Sequence, residues 1–167
     1  MAKGVTFVRS ITVSSEFLND RVVARGKLVD SYHELEAEVW FSFPDLVIEK
    51  LNCRLTKHPH EECQDYKKHI EKLKGVRVGR KFFSSLIEKT GFPLGCAHMN
   101  NLIYEMGMAA VQARFARWDE LAPLDIENIP KDKLIKMYLE GMPGMVDACS
   151  AWASDSAMVK RAKACKD

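Results

Sequence analysis

The apolar pattern of this chain changes period once, at His58-Pro59-His60. Before that point apolar residues alternate with polar ones, the spacing of a strand with one covered face. After it they recur at steps of three and four, the spacing of a helix. A chain written with strands first and helices after is expected to fold as an α+β domain.

Within the first part, Thr6–Val13 and Val22–Val29 read as short β-rich runs separated by a polar stretch, Ser14–Arg21. From His33 to Phe43 the residues Leu35, Ala37, Val39, Phe41 and Phe43 alternate with Glu34, Glu36, Glu38, Trp40 and Ser42. Pro44-Asp45 makes a turn, and Val47 to Leu55 continues as a fourth strand. Four consecutive strands on short links predict an N-terminal antiparallel meander. Glu34, Glu36 and Glu38 mark its wet face, and Trp40 on that face is the one hint of a cover.

In the second part Cys63, Tyr66, Ile70 and Leu73 share one face of a first helix that ends at Gly75. Gly79 opens a second, with Phe82, Phe83, Leu86 and Ile87 as its apolar stripe. Gly91 to Gly95 is a loop. A third helix begins near Cys96, carries Leu102, Met106, Ala109, Ala110 and Ala113, and runs to about Arg117. Pro123 and Pro130 then punctuate a linker, Lys131–Leu139 reads as a short helix, and Gly141-Met142-Pro143-Gly144 breaks it. Met145–Ala164 reads as a final alanine-rich helix, with Cys149 on its apolar face. Residues 1–117 are expected to form the α+β core, and 118–167 a helical extension packed on the same domain.

The chain has 167 residues, 47% apolar and 29% charged, with a net charge of +2. That is ordinary globular composition. Its basic residues form no stripe, so no nucleic-acid partner is expected. The densest stretch, Lys72 to Lys81, is broken by Gly75, Val76, Val78 and Gly79 and reads as a solvated turn. No apolar run approaches the roughly 20 residues of a membrane span, and no apolar segment follows Lys3 and Arg9 as in a secretory signal. The five cysteines are an odd set without a pairing pattern, as in a reducing compartment. A cytoplasmic location is expected.

The segment that best combines chemistry with position is Gly95-Cys96-Ala97-His98. A thiol at a helix start faces unpaired N–H groups and the positive end of the helix dipole, which favour its thiolate. Residues two apart on a helix do not face each other, so Cys96 and His98 make an awkward nucleophile–base pair there. Two ligands at the end of a loop converge on a metal more easily, with others brought from elsewhere. His58, His60 and Cys63 are the nearest donors by sequence, and Asp30, at a strand end, is a more distant one. The bland reading is that Cys63 belongs to the core and His98 only ties down its loop. Cys53 falls in the apolar register of its strand and reads as core.

These residues also carry a resemblance. Leu28-Val29-Asp30, His58-Pro59, Cys63, Leu73-Lys74-Gly75-Val76-Arg77-Val78-Gly79, Gly95-Cys96-Ala97-His98-Met99, Asn101-Leu102 and Ala109 with Gln112 resemble a bacterial group, domain-of-unknown-function family 2889. The resemblance runs from about Thr6 to Phe115, and Gly-Cys-x-His is its most specific element. Met99 and Asn100 stand where leucine and an acidic residue are expected. The resemblance implies that Cys96 and His98 are functional, and it names no reaction.

Three functions stay open at this point. The first is a metal- or cofactor-binding accessory protein with Cys96, His98, Cys63 and His58 as ligands, Gly95 and Asp30 at the ligand site, and zinc or iron as suitable metals. The second is a thiol-dependent enzyme or small-molecule binder acting through Cys96. The third is a non-catalytic subunit that meets a protein partner or a second copy of itself.

Overall fold

The computed structural model describes residues 6–93, 95–121, 128–141, 146–147 and 149–165. Four strands, β1 (Arg9–Leu18), β2 (Arg21–Asp30), β3 (Glu34–Ser42) and β4 (Ile48–Lys57), form one sheet in the order β1-β2-β3-β4. All three pairings are antiparallel, so the sheet is the expected meander. The fold is α+β.

One strand is longer than its apolar residues suggest. Ser14–Leu18, read as part of a polar link, continues β1 down to a two-residue turn at Asn19-Asp20. Asn19 takes the left-handed conformation (φ 57°), which asparagine tolerates better than most residues. Ser15 faces inward, and its hydroxyl donates to the Ala109 carbonyl at 3.1 Å. A polar residue on the covered face thus finds a helix carbonyl instead of solvent.

Alternation sets the two faces of the sheet. In β3, Leu35, Ala37, Val39 and Phe41 are buried, and the residues between them are half-buried. On the outer face Arg25 bonds to Glu16 and Glu38, and Lys27 to Glu34 and Glu36. These cross-strand pairs cancel charge along the ladder. Trp40 is covered by its own neighbours: its indole N–H donates to Glu38 at 2.9 Å, and the Lys50 ammonium lies 5.4 Å above its ring.

After β4 the chain winds through a 3₁₀ turn (Glu61–Tyr66), the short helix α1 (Lys67–Ile70) and a second 3₁₀ turn (Glu71–Leu73). Tyr66, Ile70 and Leu73 are buried and Cys63 is half-buried, as the shared face requires. At Gly75 the backbone enters the left-handed region (φ 81°), where a side chain would be strained. The segment then returns along β4, with Gly75 N–H donating to Ile48 and Ile48 N–H to Val76.

Helix α2 (Phe82–Thr90) buries Phe82, Leu86 and Thr90. Phe83 and Ile87, expected in the same stripe, are exposed on its flank. Helix α3 (Ala97–Leu121) covers the inner face of the sheet, burying Met99, Leu102, Ile103, Met106, Ala110 and Ala113. It approaches β2 so closely at Gly26 that a Cβ there would stand 2.8 Å from Met106 Sδ.

The chain divides into two compact units, Met1–Trp118 and Asp119–Asp167. In the second, α4 (Lys131–Gly141) and α5 (Ala157–Ala164) bury Ile135, Val159 and Ala162. Of the expected helix over Met145–Ala164, only Ala157–Ala164 is helical among the described residues. Asp147 takes φ 64° and its carboxylate accepts the Ser154 N–H at 2.8 Å, a turn that holds Cys149 exposed until Ser156 caps α5. Pro123 of the expected linker, Met142–Gly144 of the expected break, and Leu94 lie outside the described residues. No helix among the described residues is long and apolar enough to cross a membrane.

Candidate functional site

The site begins where β2 ends. Asp30, the last residue of β2, has a completely buried carboxylate. Its Oδ1 accepts the backbone N–H groups of Tyr32 and His33, each at 2.8 Å, and lies 3.0 Å from His33 Nδ1. Its Oδ2 takes two bonds from the Arg9 guanidinium, at 2.9 and 2.7 Å. Asp30 N–H in turn donates to the His33 carbonyl at 2.9 Å. The aspartate therefore closes the β2–β3 turn on itself, as short acidic side chains do.

Burial by itself pushes the Asp30 carboxyl up. The Tyr32 N–H, the Arg9 guanidinium, the His33 ring and the His33 N–H outweigh it and hold the carboxyl well below the usual range. Asp30 is ionised. A carboxylate only accepts, so the proton of that contact sits on His33 Nδ1, and Nε2 is the ring nitrogen that Asp30 does not engage.

The second half of the site comes from the start of α3. Cys96 stands just before the first helical residue, and its carbonyl accepts the Asn100 N–H at 3.0 Å. Because Cys96 lies outside the helix, the geometric objection to a Cys96–His98 contact does not apply. Cys96 Sγ is 3.9 Å from His98 Nδ1. The His98 ring lies against that of His33, centroids 4.0 Å apart and planes tilted by 32°. Burial lowers the His98 pKa, and the nearby His33 and Arg9 lower it further against the opposing pull of Asp30. Its imidazole is neutral near pH 7.

A buried clasp sets the approach to this helix start. Asn100 Nδ2 donates to the Thr90 carbonyl at 2.9 Å, and Thr90 Oγ1 lies 2.7 Å from Asn100 Oδ1. Gly95 passes so near Thr90 that a Cβ would meet the Thr90 carbonyl oxygen at 1.9 Å.

These parts border a hollow of about 430 Å³, lined among others by His33, His60, Cys63, Tyr66, Cys96 and His98. Tyr66 donates to the Cys53 carbonyl at 2.6 Å; burial, then the neighbouring Cys53 and Cys96, pushes its phenol up. Cys63 thus shares a cavity with Cys96 and His98. His58 is turned elsewhere, its Nδ1 2.7 Å from the His60 carbonyl and its Nε2 2.9 Å from Gln64 Nε2. Among the described residues, the donors whose ligand atoms lie within 4.8 Å of one another come from Asp30, His33 and His98.

The family model described as "Protein of unknown function (DUF2889)" matches residues 11–112. The chain belongs to the DUF2889 family. The DUF2889 match takes in Asp30, His33, Cys63, Cys96 and His98, whereas Arg9 precedes it and α4 and α5 follow it. No curated protein and no solved structure matches the chain.

The residue that sequence reasoning missed is His33. It stands at the head of a strand and reads there as the first member of an alternating run. The available signal was Asp30-x-x-His33, an aspartate at a strand end three residues before a ring that can donate back to it.

Proposed function

We propose that this DUF2889 protein binds a transition metal, zinc or iron, through His33 Nε2, His98 and Cys96. The observation that carries the reading is the saturated Asp30 carboxylate. With five donors on its two oxygens it has no lone pair for a cation. What it does is fix the His33 ring and tautomer, the arrangement in which a carboxylate orients a metal-bound imidazole.

Several features support the rest of the ligand set. Bonds of roughly 2.0–2.3 Å hold two ligands of one metal no more than about 4.6 Å apart. The 3.9 Å between Cys96 Sγ and His98 Nδ1 falls inside that limit. His98 is neutral near pH 7 and therefore ready to ligate. Cys63 borders the same hollow and is the fourth donor of the proposed set. Mixed thiolate and imidazole ligands suit zinc and iron. All five cysteines are free, which fits a bacterial cytoplasm.

The test is elemental analysis of untagged protein, followed by zinc titration against a chromophoric competitor. One equivalent of metal, lost in Cys96→Ser and His98→Ala, is expected. Protein that is purified metal-free and takes up neither zinc nor iron would overturn the reading.

The Cys96–His98 contact also favours a second reading, in which Cys96 is a nucleophile served by His98. It predicts that iodoacetamide labels Cys96 ahead of the exposed Cys149 near neutral pH, and that zinc gives no protection.

A further inference from the structure

A second hollow, of about 500 Å³, lies between the Lys74–Arg80 segment and α2. Lys74, Arg77, Arg80, Lys81 and Lys89 line it, and no carboxylate does. Lys74 is bonded to Glu71 and Arg77 to Asp45. Arg80, Lys81 and Lys89 have no carboxylate partner among the described residues. The contrast with the outer sheet face is direct: the broad hollow there holds Arg25 and Lys27 together with the glutamates that neutralise them.

Cations gathered in a concave site without counter-charges raise the local potential and attract anions. The first turn of α2 adds to the same sign, since Lys81 stands at its start, where the positive end of the helix dipole lies. Lys81, Ser85 and Lys89 follow at steps of four and form one stripe along α2. The linear sequence hides this, because Lys89 is far in the chain from Lys74 and Arg77.

The apolar surface of α2 decides the class of ligand. A membrane-binding helix needs its basic and apolar residues to meet one surface together. Here Phe83 and Ile87 lie across the buried Phe82–Leu86 face from the lysine stripe, and the Phe83 ring packs edge-on against Tyr104 at 5.2 Å. The volume suits a small molecule. We propose that this hollow binds a soluble, phosphate-bearing small molecule through Arg80, Lys81 and Lys89.

Amide NMR of the full chain, titrated with inorganic pyrophosphate at about 150 mM salt to screen diffuse attraction, tests the proposal. Saturable shifts confined to the Lys74–Lys89 region are expected. Because charge-assisted hydrogen bonds are strong, the double variant Lys81→Gln/Lys89→Gln should bind about tenfold or more weakly. Lys50→Gln, on the outer sheet face, should bind like the wild type. Both positions of the double variant are exposed, so its fold should be retained. Shifts that spread over every basic surface without saturating, or that persist in the double variant, would overturn the assignment. So would binding to phosphatidylglycerol vesicles or to a nucleic-acid duplex by protein that ignores pyrophosphate.

Discussion

Asp30 Oδ1 and His33 Nδ1 lie 3.0 Å apart, and that contact joins the stability of the protein to the chemistry of its site. The same carboxylate anchors Arg9, the β2–β3 turn and the His33 ring. Asp30→Asn keeps the shape but removes the charge that Arg9 faces. Breaking one side of a buried pair costs about 3–5 kcal/mol, and urea denaturation at pH 7 should show a loss near the lower figure because Arg9 is partly exposed. A carboxyl held below its unfolded value of about 3.9 stabilises the fold above that pH and loses its contribution as pH falls through it. The gap between wild type and Asp30→Asn should therefore be full at pH 7 and shrink below about pH 4.

Zinc affinity should sort the histidines. His33→Ala removes a proposed ligand and His58→Ala does not, since His58 is held by Gln64 and the His60 carbonyl. Competition titrations should give His58→Ala an affinity within error of wild type and His33→Ala a large loss. Asp30→Asn removes no proposed ligand but loosens the His33 ring, and should lose about 10–100-fold. Equal effects at His33 and His58 would argue against the proposed ligand set.

The meander was readable because one covered face forces alternation, and β3 carries it without a break from Glu34 to Ser42. The far half of β1 was not, because Ser15 is satisfied by a helix carbonyl that no local pattern reveals. The last helix was overestimated for a related reason. Alanine suits a helix, but the Asp147 carboxylate takes the Ser154 N–H and the Ser156 hydroxyl bonds the Ala151 carbonyl, and these turns delay its start to Ala157. At the site, Cys96 and His98 were visible as a motif within one turn of chain. Their meeting with Asp30 and His33 depends on the packing of α3 under the sheet, which sequence spacing does not encode.

Thiol labelling should separate Cys53 from Cys149. Burial pushes the Cys53 thiol up to about 12, with Glu71 adding to the effect. Iodoacetamide at pH 8 should leave Cys53 unmodified in the folded protein while Cys149, exposed in its turn, reacts. A thiol whose folded value is raised stabilises the protein below the unfolded value of about 8.5. That contribution is lost as pH rises from there toward 12. Urea midpoints should accordingly fall on the alkaline side, and less steeply in Cys53→Ala.

Two glycines should respond to alanine in opposite ways. At Gly79 an added Cβ meets nothing within 4 Å, so Gly79→Ala should be close to neutral. At Gly95 the Cβ would lie 1.9 Å from the Thr90 carbonyl oxygen, an atom held by Asn100 Nδ2. That oxygen belongs to backbone and cannot rotate away. Relief requires either the loop or the first turn of α3 to move, and Cys96 and His98 move with it. Overpacking of this kind costs about 1–3 kcal/mol. Gly95→Ala should thus lower the melting temperature and weaken zinc binding together, although alanine touches no ligand. A variant that lost stability but bound zinc as before would separate the clasp at Thr90 and Asn100 from the placement of Cys96 and His98.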